Sequence, residues 1–397
     1  MRFKKILIFA IAVLMIAMFF ASCGGEEEAE KTETVTIGLS APLSSDYGMD
    51  VEQGLEMAVE KVNADGGIMI GDTKYTFKLE SADDGGVPEQ ALANAQRFVL
   101  EDEIDVIWNP VATTLAPLMG INTKAGEEFL IMAYTSVPMY TETYGPTPNP
   151  LMITLPPPFY VNIAPFIKLA LTNDYKTMGM LQVANAYGEA WAKYMQQGWT
   201  QAGGTVVASA PADYYTVTDY TPYLTTVLAA NPDVIFCGGP SEATALVIDQ
   251  ARGLGFEGGF MVMDQAKLDV IAEKLGMEKL EGAIGVLPVE LSIWPYMQTF
   301  APDFEAEFGR KATWESAICY TAFHIMAEAM ESAGTVTDVE AIRAAFPDVS
   351  TTSGEEYPVE YSGINNETGA LLMPGQVCIV QNGEFMPEPL IEWWKTE

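Results

Sequence analysis

Residues 34–67 decide the fold: TVTIGLSAPL (34–43) is followed, after a short polar loop, by GMDVEQGLEMAVEKVNADGG (48–67). The first segment is β-rich. The second spaces Val51, Leu55, Ala58, Val59 and Val62 along one helical face and stops at Gly66-Gly67. A strand running into an amphipathic helix is the repeating unit of a parallel sheet, because a crossover helix returns the chain to a parallel neighbour. Working outward, the unit recurs. YTFKLESAD (75–83) alternates Tyr75, Phe77 and Leu79 against Thr76, Lys78 and Glu80, and precedes a helix over 88–101. IDVIWNP (104–110) precedes a helix over 113–126, and FLIMAYT (129–135) closes the series. The grammar is that of a sheet covered on both faces.

A Pro-rich break, TPNPLMITLPPPFY (147–160), interrupts the pattern, which then restarts. Strands at 177–185, 205–210, 233–239, 260–264 and 282–289 alternate with helices over 187–202, 221–232, 241–256 and 266–275. Two similar units in tandem predict a cleft between them. Helices over 298–309, 315–333 and 338–346 follow, and their expected place is the open side of the first unit. QVCIVQNGEFMP (376–387) reads as a hairpin turning at Asn382-Gly383.

The chain begins with MRFKKILIFAIAVLMIAMFFASC. Arg2, Lys4 and Lys5 precede an apolar run, Ile6 to Ala21, too short for a comfortable membrane span, and the run closes on Ala21-Ser22-Cys23. This is the pattern of an export signal. A cysteine after small residues resembles the bacterial lipobox, although Phe20 stands where leucine is favoured. The resemblance implies a signal over 1–22, a lipid on Cys23 and a solvated acidic tether over 23–33 that holds the body at the cell envelope, in the periplasm or on the outer face of the cytoplasmic membrane. Plain secretion and an uncleaved anchor are the alternatives.

The 397 residues carry 20 Lys+Arg against 54 Asp+Glu, a net charge of −34, and loss of the three basic signal residues takes it to −37. Such a surface repels phosphate backbones, which excludes nucleic acid as a partner. After Cys23 only Cys237, Cys319 and Cys378 remain, each among apolar neighbours. Their spacing fits neither a zinc site nor a disulfide framework, so free buried thiols are expected, with a Cys237–Cys378 pair as the alternative. His324, the one histidine, lies inside an apolar helix, and no serine or cysteine has a nucleophile motif around it, so a hydrolase is not expected.

Four collinear stretches resemble the type I periplasmic binding proteins of the hydrophobic and branched-chain amino acid family. IGLSAPLSSDYGMDVEQGLEMAVEKVNADGGI is similar to that family's first strand, serine-containing loop and first helix. SADDGGVPEQALANAQRFV is similar to its second strand and helix, TDYTPYLTTVLAANPDVIFCGG to its long NPD segment, and AICYTAFHIMAEAMESAG to a late helix. The similarity spans about residues 35–397. It implies an α/β fold of two Rossmann-like lobes joined by three hinge crossovers, near the Pro-rich break, 288–292 and 362–375. The lobes would comprise 34–157 plus 290–363 and 158–289 plus 364–397. It further implies no cofactor, no metal and no catalysis, but capture of a small organic ligand for an ABC permease. Alternatives are an aliphatic or aromatic carboxylate or amide-like ligand in the same fold, or a sensory module signalling through a partner receptor.

Ligands of such folds sit beyond the carboxyl ends of the strands, where loops present free N–H groups. The first candidate loop is Ser44-Ser45-Asp46-Tyr47-Gly48. In the next, Asn109 to Thr113, Thr113 matches the family's carboxylate-binding serine, unless it is only a helix cap. Ala133-Tyr134-Thr135-Ser136-Val137 places Val137 where the family has a hydroxyl that helps bind an ammonium group, unless Ser136 shifts into its place. Tyr187 matches a ligand-packing tyrosine, with helix-start packing as the alternative. Asp264 falls in the region of the ammonium-binding acid, with a helix cap as the alternative. Trp108, Trp294 and Tyr296 are candidates for an apolar wall or for core.

Overall fold

The computed structural model describes residues 31–139 and 146–395, so Cys23, the signal and most of the tether lie outside the described residues. The first unit runs β1 (Lys31–Ala41), α1 (Asp46–Ala64), β2 (Ile68–Ile70), β3 (Thr73–Asp83), α2 (Pro88–Leu100), β4 (Val106–Asn109), α3 (Ala112–Met119), β5 (Leu130–Ala133) and β6 (Met152–Thr154). The second runs α4 (Ile163–Thr172), β7 (Thr177–Gln182), α5 (Ala186–Gln201), β8 (Thr205–Ser209), α6 (Thr221–Leu228), β9 (Val234–Gly238), α7 (Ser241–Gly253), β10 (Gly259–Val262), α8 (Leu268–Leu275) and β11 (Ala283–Val286). Then come α9 (Met297–Phe308), α10 (Trp314–Ala333), α11 (Val339–Val349) and the hairpin β12 (Val377–Gln381) and β13 (Glu384–Pro387).

The strands form two sheets, in the orders β2-β3-β1-β4-β5-β6 and β13-β12-β11-β10-β9-β7-β8. Each is parallel through its centre and antiparallel at one edge, where β2 pairs with β3 and where β12 pairs with β11 and β13. Two short elements escape the periodicity of the sequence. β2 has three residues, and β6 lies inside the Pro-rich break, pairing beside β5 before the chain leaves the sheet.

The cores follow the sheets. One face of the first sheet packs with α1, α9, α10 and α11 around Leu39, Leu55, Phe300, Phe323 and Phe346, all at most 1% exposed, so the late helices do cover that lobe. Its other face packs α2 and α3 around Phe98, Ile107 and Leu115. The second lobe is built around Trp191, Trp199, Phe236 and Phe260, all fully buried. Trp108 and Trp294 sit in the first core rather than on a cleft wall, with Tyr296 packed against it.

The chain passes between the cores three times: between Leu155 and Phe159, between Leu287 and Val289, and between Met373 and Val377. Residues 364–373, expected with the second lobe, pack on the first. Thr154 N donates to Gly369 O and Leu371 N to Thr154 O, each at 2.9 Å, so the segment runs along the edge strand β6. Leu371 and Met373 are buried there. Cys237, Cys319 and Cys378 are free and buried, as reduced thiols.

Candidate functional site

The cleft faces of both lobes are built at the carboxyl ends of their strands. On the second lobe Asn185 caps α5, accepting from Gly188 N at 2.9 Å. Gly188 must be glycine, since a Cβ there would meet Val183 O at 1.9 Å. That tight start projects Tyr187 and, one turn on, Trp191 from the same helical face. Both reach Asp264, just beyond β10: the Tyr187 hydroxyl makes a short hydrogen bond to Oδ1, and Trp191 Nε1 donates to the same atom at 3.0 Å. Gln265 N donates to the Tyr187 oxygen at 3.2 Å. From the first lobe Ser136 comes close enough to the Asp264 carboxylate to favour its charged form. Asp264 is therefore no helix cap; α8 starts only at Leu268.

Burial pushes the Asp264 carboxyl above its ordinary range, against the pull of Tyr187, Ser136 and Trp191, with the charge of Glu315 adding to the rise. Burial, then the charge of Asp264, raises the Tyr187 phenol well above its ordinary value. The centre thus consists of one carboxylate held by two neutral donors, a phenol and an indole.

On the first lobe a buried polar network orders the strand ends. Asn109 Nδ2 donates to Ser40 O at 2.9 Å, and Asn109 Oδ1 accepts from Thr114 Oγ1 at 2.9 Å and Val111 N at 3.2 Å. Thr114 is the buried threonine of this turn. Thr113 is exposed in the first turn of α3, whose cap position is Val111, so Thr113 does not cap. The Tyr47 hydroxyl donates to Pro110 O at 2.8 Å and lies 3.3 Å from Tyr134 O, tying three loops together. The Tyr47 and Tyr134 rings meet edge to face at 5.9 Å. Thr135 is buried and accepts from Val137 N at 3.2 Å, which commits its hydroxyl to its own loop. Ser45 caps α1, accepting from Gly48 N at 3.1 Å. Of the residues expected at the site, Ser136, Tyr187 and Asp264 meet. Tyr47 and Tyr134 lie close enough for the charge of Asp264 to raise their phenols, after the larger effect of burial. Thr113 makes none of these contacts.

Sequence reasoning missed Trp191, although its spacing of four from Tyr187 is a signal. It also missed a charged cluster for which no local signal exists. Asp50 on α1 is 1% exposed and lies 2.9 Å from Arg310 Nη2. Glu315, at the start of α10, is 4% exposed. Lys267 of the second lobe reaches Glu315 Oε2 at 3.3 Å and Asp50 Oδ2 at 3.5 Å. The helices meet this closely because of Gly54, where a Cβ would strike the Ser316 backbone at 2.5 Å. A capping box of Thr313 and Ser316 sets the first turn of α10. Burial pushes Asp50 up to about 6, opposed by Lys267 and Arg310. Burial lowers Lys267, but the charges of Glu315 and Asp50 outweigh it and its pKa is raised.

The chain matches the periplasmic binding protein family over residues 34–377. The Leu/Ile/Val-binding protein BraC3 of Rhizobium johnstonii is 25% identical over 344 residues, covering 85% of this chain and 89% of that protein. Among solved structures, the leucine-binding protein LivK of Thermotoga maritima superposes with a TM-score of 0.74 at 19% identity, over 91% of this chain and all of that one. An ABC-transporter solute-binding protein of Rhodopseudomonas palustris, in complex with 3,4-dihydroxybenzoic acid, gives 0.75 at 17% identity, over 91% and 99%.

Proposed function

The chain belongs to the periplasmic binding protein family, and from that premise we propose that it captures a small organic ligand between its lobes and delivers it to an ABC permease. The observation that carries this reading is Asp264, a strand-end carboxylate of the second lobe that two neutral donors hold, with Ser136 of the first lobe close by. Neutral donors orient a carboxylate without cancelling its charge, so it attracts a ligand's ammonium group in a cleft shielded from water. Thr113, exposed in the first turn of α3 on the opposite lobe, would donate to the ligand's carboxylate together with the helix amides. A branched-chain or hydrophobic amino acid meets both demands. Such relatives as BraC3 make the same class the first to try.

A second reading is favoured by the aromatic surroundings. Tyr187 and Trp191 bond Asp264, and the Tyr47–Tyr134 pair lies on the other lobe, a setting equally suited to an aromatic carboxylate whose hydroxyl donates to Asp264. Lobe closure would follow the usual two-state logic, the ligand favouring the form in which it touches both lobes. The Cys23 lipid would keep the protein at the membrane. Among the described residues no helix is long and apolar enough to cross one.

The test is a thermal-shift screen of amino acids and of aliphatic and aromatic acids, with the hit recovered and identified chemically. A ligand that binds only the folded protein raises Tm with concentration and is recovered unchanged. Thr113→Ala should weaken binding by about 1.5–3 kcal/mol, roughly ten- to more than hundredfold. Asp264→Asn should penalise an amino acid while sparing its analogue without the amino group. Equal losses for the two would move the assignment to the aromatic acid. For the anchor, Cys23→Ser should shift the protein from the detergent phase to the aqueous phase. A wild type found wholly in the aqueous phase would remove the lipid from the proposal.

A further inference from the structure

We propose that Lys267 is the positioning residue that holds the two lobes closed, by placing its ammonium group between two buried carboxylates of the opposite lobe. The inference rests on the reading of this chain as a two-lobed binding protein, but on no particular ligand.

Lys267 belongs to the second lobe by its backbone. It occupies the cap position of α8, and its amide donates to Ser241 Oγ at 3.0 Å. A lysine is poorly placed there by local rules, because the positive end of the helix dipole disfavours a cation. Its ion-pair partners lie across the cleft: Glu315 at 3.3 Å and Asp50 at 3.5 Å, both on the first lobe. The Lys267 side chain is 17% exposed, against 6% and 1% for its two partners. Of the cross-lobe contacts this is the buried ionic one; Lys311, which reaches Glu273 across the cleft, is 36% exposed against 56%.

Charge counting shows what the contact does. On its own the first lobe sets Asp50, Glu315 and the more exposed Asp46 against one nearby cation, Arg310, and so carries uncompensated negative charge at its cleft face. In the closed arrangement Lys267 cuts that local excess by one charge. A chain at −34 pays a repulsive cost for bringing two acidic lobes together, and a cation at the point of closest approach offsets it. A buried ion pair adds little net stability, because desolvation consumes the Coulomb gain, yet removing one partner is costly because it leaves a buried charge alone. Lys267 therefore discriminates between arrangements: its loss penalises the closed form and leaves the open form unaffected.

The test is hydrogen exchange, read by mass spectrometry on the ligand-free full-length protein. Lys267→Met should speed exchange several-fold in the second-lobe amides at 264–266 and also in the first-lobe amides at 134–137, which have no covalent or helical link to residue 267. Lys267→Arg should keep the wild-type pattern, and high salt should move the wild type toward Lys267→Met. Acceleration confined to the second lobe, or none, overturns the proposal, as does an Arg variant that behaves like Met. Should Lys267→Met fail to fold, Glu315→Gln tests the same pair from the other side and should speed exchange at 264–266. Because no ligand is added, a negative ligand screen and a failed latch are separate outcomes.

Discussion

Two carboxylate centres face each other across the cleft, and they are held by opposite means. Asp264 on the second lobe is held by Tyr187 and Trp191, both neutral donors, with the neutral Ser136 close by, and keeps its charge available. Asp50 and Glu315 on the first lobe are held by Arg310 and Lys267, and their charge is balanced within the protein. Hydrogen bonds from neutral groups fix the direction of a carboxylate, whereas cations fix its charge state and cancel its field. The first arrangement suits a site that receives a ligand. The second suits a joint between protein surfaces.

The largest effect that would break this contrast lies at Trp191, which is fully buried among Phe159, Phe166 and Phe236 and also donates to Asp264. Trp191→Ala should cost about 3–5 kcal/mol in urea unfolding through the cavity it leaves. Trp191→Phe keeps most of the packing and loses the bond to the carboxylate, so its cost should fall near the 1.5–3 kcal/mol of a charged hydrogen bond. If the two variants unfold alike, Asp264 is supported by packing rather than by donors.

A middle-sized effect comes from His324, which shares α10 with Glu315 but has neither cation nor carboxylate bonded to it. Its ring sits between Tyr320 and Tyr357, at 4.8 and 5.2 Å, and burial, helped by Lys61, lowers its pKa from 6.5 to about 4. The folded protein then refuses a proton that the unfolded chain accepts. This share of stability is present above pH 6.5 and is lost as pH falls through about 4, for a total of about 3 kcal/mol. Asp50 and Asp105, both raised by burial to about 6, act with the opposite sign and lose their share as pH rises through 6. Comparing His324→Phe with the wild type from pH 7 to 4 cancels the carboxylates. The variant should lack the part of the acid limb that belongs to the imidazole.

The smallest effect sharpens the comparison. Ser136→Ala removes a hydroxyl that the first lobe brings close to Asp264, at a half-buried position. Unfolding stability should change by less than about 0.5 kcal/mol, as for a surface substitution. The hydroxyl nears Asp264 only when the lobes meet, so the loss should appear in ligand affinity instead. A large loss in the unfolding curve would mean that Ser136 serves the first lobe itself.

Much of this protein was legible in its amino-acid order. Alternation and helical spacing located the central strands and most helices, because a parallel sheet buried on both faces needs apolar strands and amphipathic crossovers. The repeat after residue 160 announced the second lobe. Asp264 and Tyr187 stood out as candidates because strand ends and helix starts have local signatures. What tertiary structure alone decided were contacts without a local pattern. Three-residue β2 and β6 are too short to show a period. Residues 364–373 joined the first lobe through backbone bonds to Thr154 that no side-chain pattern encodes. In a chain with 54 acids, Asp50 and Glu315 look like any others. Lys267 reads as a surface lysine until the fold brings residues 50, 267, 310 and 315 to one point, because ion pairing depends on distance in space and the sequence carries only distance along the chain.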